Sequence, residues 1–226
     1  MGIGILFAVQ LGNEYVHVQE ALPLLVGFIL LNIIEADYFH EKAAIKEYWS
    51  PKKWPQFLTA ILVGAFIAYL PMLLRVATGQ QTFSATTFLF DASVWPIIVT
   101  LCVVSWEEFW FRGIILNKVR PSLGVITTAI IIAILFTAIH AMNPKMDLLT
   151  EGPNLFGAGL LLTASYFYFR SIWVPIGLHF GNNFFGSHQL TPIPFNAVFA
   201  DNGYLGALAM VAAAAFLLIR MPKNSQ

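Results

Sequence analysis

The sequence predicts an all-α, polytopic transmembrane helical bundle of about seven spans, and three observations carry that expectation. Of its 226 residues, 58% are hydrophobic and 11% are charged, with mean hydropathy +0.73. A soluble domain carries more charge than this on its surface. The apolar residues form continuous blocks rather than the short alternating segments of a barrel. The lysines and arginines gather in every second connection, as expected of a chain that crosses a membrane back and forth.

The blocks run, in order, over residues 21–39, 56–74, 94–116, 123–141, 155–169, 172–185 and 204–219. A span takes about 20 residues, with about 17 as a common lower limit. The fifth and sixth blocks are short on that measure and are expected to be little tilted, extended by their flanks, or partly re-entrant. Residues 1–11 are too short to span alone and are expected at the interface; a crossing there would make eight spans. Lys42, Lys46, Lys52 and Lys53 follow the first block, Lys118 and Arg120 the third, Arg170 the fifth, and Arg220 and Lys223 the last. The alternate connections hold only Arg75 and Lys145. The positive-inside rule then places the C-terminus in the cytoplasm and the start of the first span outside.

Pro51 and Pro55 bracket an interfacial loop, with Trp49 and Trp54 at belt positions, and "TPIPF" at 191–195 signals a loop on the outer side. There is no internal repeat, no low-complexity segment and no connection long enough for a second domain, so residues 1–226 read as a single integral membrane domain. "MGIGILFAVQLG" lacks the basic start and cleavage site of a signal peptide. Twelve Lys and Arg balance twelve Asp and Glu, which removes the electrostatic case for nucleic acid and leaves the lipid bilayer as the surrounding partner. Cys102, the one cysteine, has no partner for an internal disulfide and reads as a small buried hydrophobe.

Against this background "SWEEFWFRG", from Ser105 to Gly113, stands out: Glu107, Glu108 and Arg112 sit inside an apolar block. Glu35 and Asp37, by contrast, lie near a block end and can reach the interface. Ionisable residues within spans face a bundle interior or a wet cavity, and their first reading is functional. Glu108 and Arg112 are four apart, share a helical face and can pair, which lowers the cost of burying either. Glu107 has no intrahelical cation at that spacing and is free to serve as a general base. The plainer alternative is a packing clamp made of all three charges. His140 ends "FTAIH", with Phe136 four positions earlier, and His179 opens "HFGNN", with Asn183 four positions later. A lone histidine in an apolar helix is often hydrogen-bonded filler. Two of them, an amide and a glutamate pair on three helices point to one site. Glu107 and His140 can deprotonate a water while His179 and Asn183 stabilise an oxyanion. Equally, Glu107, His140 and His179 can ligate zinc. On the block boundaries Glu107 lies mid-span and His140 near an outer end. The offset is roughly 10 Å at about 1.5 Å per residue, which calls for shifted boundaries or tilted helices.

The three motifs, EExxxR at Glu107, Glu108 and Arg112, FxxxH at Phe136 and His140, and HxxxN at His179 and Asn183, resemble those of the CPBP family. These are the CAAX-protease and bacteriocin-processing intramembrane proteases, also called the Abi family. "FRG" at 111–113 and "RSIWVPIGLH" at 170–179 add to the likeness, which covers residues 94–185. The resemblance implies an intramembrane peptidase acting on a membrane-embedded or lipidated peptide, CAAX-like or bacteriocin-like. It implies Glu107 and His140 as the water-activating pair, His179 and Asn183 as oxyanion stabilisers, and Glu108 and Arg112 in support. It leaves open whether the enzyme uses zinc or a metal-free glutamate. The small chain without further domains fits a prokaryotic cell membrane. Two rival readings are a non-catalytic member of the family that holds a membrane partner, and a small proton-coupled transporter. No inverted repeat supports the latter. "HEKAA" at 40–44 has alanine where the zinc motif HExxH needs its second histidine.

Overall fold

A computed structural model describes residues 48, 50–77, 94–143, 146–187 and 195–221. The first apolar block, residues 1–11 and most of "TPIPF" lie outside these. Among the described residues all regular structure is helical. A 3₁₀ turn at Pro51–Lys53 leads into α1 (Pro55–Ala77). Then come α2 (Val94–Glu108), a π-helical segment (Phe109–Ile115) and α3 (Leu116–Leu123), which follow one another without a break. α4 (Val125–His140), α5 (Leu148–Phe169), α6 (Trp173–Ser187) and α7 (Phe195–Ile219) complete the order.

Several helix ends differ from the apolar blocks, among them the start of α7 at Phe195 rather than at residue 204, and two more have a physical cause. The third block ends at Leu116, but the helix runs on through polar "LNKVRPSL" to Leu123. It turns at Gly124, whose φ of 71° lies in the left-handed region that glycine enters without a Cβ clash. Gly124 closes both helices at this turn. Its N–H donates to the Arg120 carbonyl (3.0 Å) and its carbonyl accepts from the Thr128 N–H (3.1 Å). Glu107 stands 17 residues before this turn and His140 16 after it. An antiparallel hairpin folded at Gly124 therefore sets the two level. The offset expected from the blocks came from ending the third helix too early.

The fifth helix likewise starts seven residues before its block and has 22 residues, so it is not short. Its entry is capped: Asp147 Oδ1 accepts the Leu149 N–H (3.0 Å), and Glu151 Oε1 accepts the Asp147 N–H (3.1 Å). Pro153 has no N–H to offer the Leu149 carbonyl. The Tyr204 hydroxyl on α7 donates to it instead (3.3 Å).

Small residues set how closely the helices approach. α1 and α6 meet along Ala60 and Gly64 on one side and Gly177 and Gly181 on the other. A Cβ on Gly64 would collide with the Leu178 carbonyl, one on Gly181 with the Ile61 carbonyl, and one on Gly177 would stand 2.7 Å from the Ala60 Cβ. This is the spacing that lets helix backbones touch in a bilayer. Between α4 and α5, a Cβ on Gly159 would lie 2.9 Å from the Ala133 Cα. Phe111, Leu116, Ile132, Phe136, Tyr166, Phe167 and Ile172 fill the core.

The outside of the bundle is apolar as well. On α4, Ala129, Ile132, Ala133 and Phe136 are buried while Ile126, Ile130 and Ile134 are exposed, so both faces of one helix are hydrophobic. A helix apolar all round belongs in lipid. Among the described residues, one stretch, Thr100–His140, is long and apolar enough to cross a membrane. Connections rich in basic residues meet at one end. Lys53 Nζ donates to the Arg170 carbonyl (2.5 Å), Trp173 Nε1 to the Ser50 carbonyl (3.1 Å), and the Arg120 guanidinium lies over the Phe167 ring (5.3 Å).

The α1–α6 seam should therefore reject added volume. Gly181→Val is expected to lower stability in detergent by about 1–3 kcal/mol or more, as overpacking does. Gly186→Ala should be tolerated, since its Cβ would meet only the Ala68 Cβ at 3.8 Å. Thermal unfolding of the two purified variants checks this.

Candidate active site

The site grows from the carboxyl end of α2. Glu107 and Glu108 leave the α-helix there, and the π-helical segment that follows carries Arg112. Single π turns inside α-helices are frequent at functional sites. Arg112 Nη1 donates to Glu108 Oε1 at 2.9 Å, and both side chains are wholly buried. The other arm of the guanidinium, Nη2, donates to the Gly159 carbonyl on α5 (3.0 Å), which also accepts from Thr163 Oγ1 (2.8 Å). The missing Cβ at Gly159 lets α5 come close to α4. The rings of Phe111 and Phe136 flank the cation at 5.6 and 5.3 Å.

Glu108 serves a second partner. His179 Nδ1 on α6 lies 2.8 Å from the same Oε1. An ion-paired carboxylate only accepts, so Nδ1 carries a proton and Nε2 is the nitrogen left to face Glu107, whose Oε2 is 3.7 Å away. His140 is set the same way from α4. Its Nδ1 lies 2.8 Å from the Phe136 carbonyl, which can only accept, so its Nε2 faces Glu107 Oε2 at 3.9 Å. Phe136 thus holds His140 through its backbone. Its ring lies 4.4 Å from the His140 ring and 5.7 Å from that of His179.

Glu107 is 5% exposed, and its Oε2 receives no hydrogen bond from the described residues. Two imidazole nitrogens face that oxygen from separate helices, beyond direct hydrogen-bond range and within reach of one bridging water. Such a grouping can take a proton from a water and return it elsewhere.

Of the residues singled out from sequence, Glu107, Glu108, Arg112, His140 and His179 come together. Asn183 lies one turn beyond His179 on α6 and is exposed. The oxygen and nitrogen donors are of the kind zinc takes. Among the described residues, however, no three His, Cys, Asp or Glu side chains gather closely enough to ligate a metal. Sequence reasoning missed Gly159, whose contribution is a backbone carbonyl, and Asn117, whose amide bonds to the π-helical segment. Neither leaves a signal in residue types.

The buried pair yields a stability prediction. Arg112→Met alone strands the Glu108 carboxylate and should cost about 3–5 kcal/mol. Adding Glu108→Leu should recover much of that loss, because the uncompensated charge is gone. A double-mutant cycle by unfolding in detergent measures both.

No curated protein and no solved structure matches the chain. A family model does, that of the "Type II CAAX prenyl endopeptidase Rce1-like" proteins, over residues 89–185. The matched stretch contains every residue of the cluster and nearly coincides with the 94–185 core read from the motifs. Over residues 89–185 the chain is therefore similar to the Rce1-like type II CAAX prenyl endopeptidases.

Proposed function

We propose that the protein is a multi-pass intramembrane peptidase that hydrolyses a peptide bond of a membrane-associated or lipidated substrate, with water activated by Glu107 and His140. The observation that carries this reading is the convergence of Glu107 Oε2 with His140 Nε2 (3.9 Å) and His179 Nε2 (3.7 Å), inside the stretch that matches the Rce1-like family model.

The chemistry follows from the proton positions. A water hydrogen-bonded to Glu107 Oε2 and His140 Nε2 loses a proton to Glu107 as its oxygen attacks the scissile carbonyl carbon. The carbonyl oxygen takes up the negative charge. His179 can donate to it from Nε2 when it enters the reaction as the imidazolium, with Nδ1–H held and the charge balanced by Glu108, and Asn183 adds an amide donor from the exposed side of α6. Glu107 then passes its proton to the leaving nitrogen. The products are an amine and a carboxylic acid, which keeps the water's second proton until it passes to the amine, and Glu107 is restored. Every step uses this chain's own side chains, and none passes through a metal. The apolar outer faces of α1, α4 and α7 suit a substrate that approaches sideways through lipid. The basic connections at one end of the bundle support about seven crossings with the C-terminus in the cytoplasm.

The test is cleavage of a library of lipidated and transmembrane peptides by purified protein in detergent. Wild type should cut at least one peptide. Glu107→Gln should lose about 10²–10⁴-fold in rate, the usual worth of a general base. Cleavage should survive a chelator; sensitivity to the chelator would instead bring in a metal. A Glu107→Gln protein that cuts as well as wild type would end the catalytic reading in favour of a partner-binding role.

A further inference from the structure

We infer that Asn117 is a positioning residue, whose side-chain amide pins the π-helical segment and with it the rotation of Glu107 and Glu108 toward His140 and His179. In a π-helical segment each N–H reaches back five residues, as the Leu116 N–H does to the Phe111 carbonyl. When the α-helix resumes, each N–H reaches back four. The change of step passes over one carbonyl at the junction, where those of Arg112 and Gly113 lie. Asn117 Nδ2 donates to both, at 3.2 and 2.8 Å, and sits 3.3 Å from the Tyr166 hydroxyl on α5. Only the amide nitrogen can donate to two carbonyls, so chemistry fixes the orientation of the group. Tyr166 is itself anchored, 1% exposed and stacked on Tyr48 at 4.5 Å.

Asparagine is a poor helix former, so helix stability does not explain its place here. Its amide donates to the carbonyl that the backbone ladder skips. Without that donor the segment gains by closing into an ordinary α-helix. Losing one residue from the wide turn would rotate the chain before it by about 100°, one residue's step at 3.6 per turn. That rotation takes Glu108 off His179 and Glu107 off both histidines, while the four-residue spacing of Glu108 and Arg112 keeps their pair.

The kinetic consequence rests on the peptidase reading, whereas the geometric one does not. Asn117→Leu keeps the size, removes the donor and improves helix propensity. Asn117→Asp keeps the shape and replaces the donor by an acceptor. Nitrogen NMR of the histidine side chains in detergent should show the His179 Nδ1–H signal shifted or lost in both variants, with no fall in melting temperature for Asn117→Leu. On a peptide that wild type cuts, kcat should fall at least about tenfold, equivalent to ~1.4 kcal/mol of barrier, with KM nearly unchanged. An unchanged His179 signal in a folded variant overturns the inference, and so does an unchanged kcat. Failure of both variants to fold also overturns it, since a positioning role leaves the fold standing. If wild type cuts no peptide, the peptidase reading fails while the NMR result still decides for or against Asn117.

Discussion

A fully buried ion pair, Arg112 with Glu108, is the interaction around which the described structure is arranged. Two charges cannot be held in an apolar bundle unless nearly every direction around them is occupied. The Gly159 carbonyl, the rings of Phe111 and Phe136, and His179 supply that surround from four helical segments. Among the described residues Arg112 Nε and Glu108 Oε2 have no hydrogen-bond partner, so these contacts alone do not make the pair an optimised stability device. Its more telling consequence is geometric. One carboxylate oxygen, shared by Arg112 and His179, fixes how α2 and α6 face each other. The neighbouring carboxylate is left for chemistry.

The remaining geometry follows from helix connections rather than from further polar contacts. The Gly124 turn sets Glu107 and His140 at matching distances along a helical hairpin. The Ala60–Gly64 and Gly177–Gly181 seam presses α6 against α1, which fixes the helix that presents His179. The π-helical segment sets the rotation at which Glu107 faces two histidines while Glu108, four residues from Arg112, also meets His179; the adjacent side chains point about 100° apart. Rigid helices and close backbone contacts hold the acid–base groups, as precise sites require.

Much of this was legible in the sequence, and what was not has physical reasons. Charges in an apolar block marked Glu107, Glu108 and Arg112, and the spacing of FTAIH and HFGNN marked His140 and His179. The structure brings all five together. The helical ends were misread because hydropathy records apolar runs, whereas helices persist wherever backbone hydrogen bonds continue. "LNKVRPSL" and the start of α5 are polar and helical at once. Gly159 contributes a carbonyl and a close backbone approach, and the π-helical step depends on hydrogen-bond register. Neither has a residue-type signature. Asn183 lies one turn beyond His179 on α6 and is exposed, since a four-residue spacing gives a shared face but not the depth of each side chain.

The division of labour between two adjacent glutamates is the central claim, and a matched comparison of Glu107→Gln with Glu108→Gln tests it most directly. Turnover on a cleavable peptide and melting temperature in detergent are measured for each. The expected result is a split: Glu107→Gln loses turnover and keeps the melting temperature, while Glu108→Gln melts lower because Arg112 is left buried without its counter-charge. Equal losses of stability in the two variants, or retained turnover in Glu107→Gln, would contradict it.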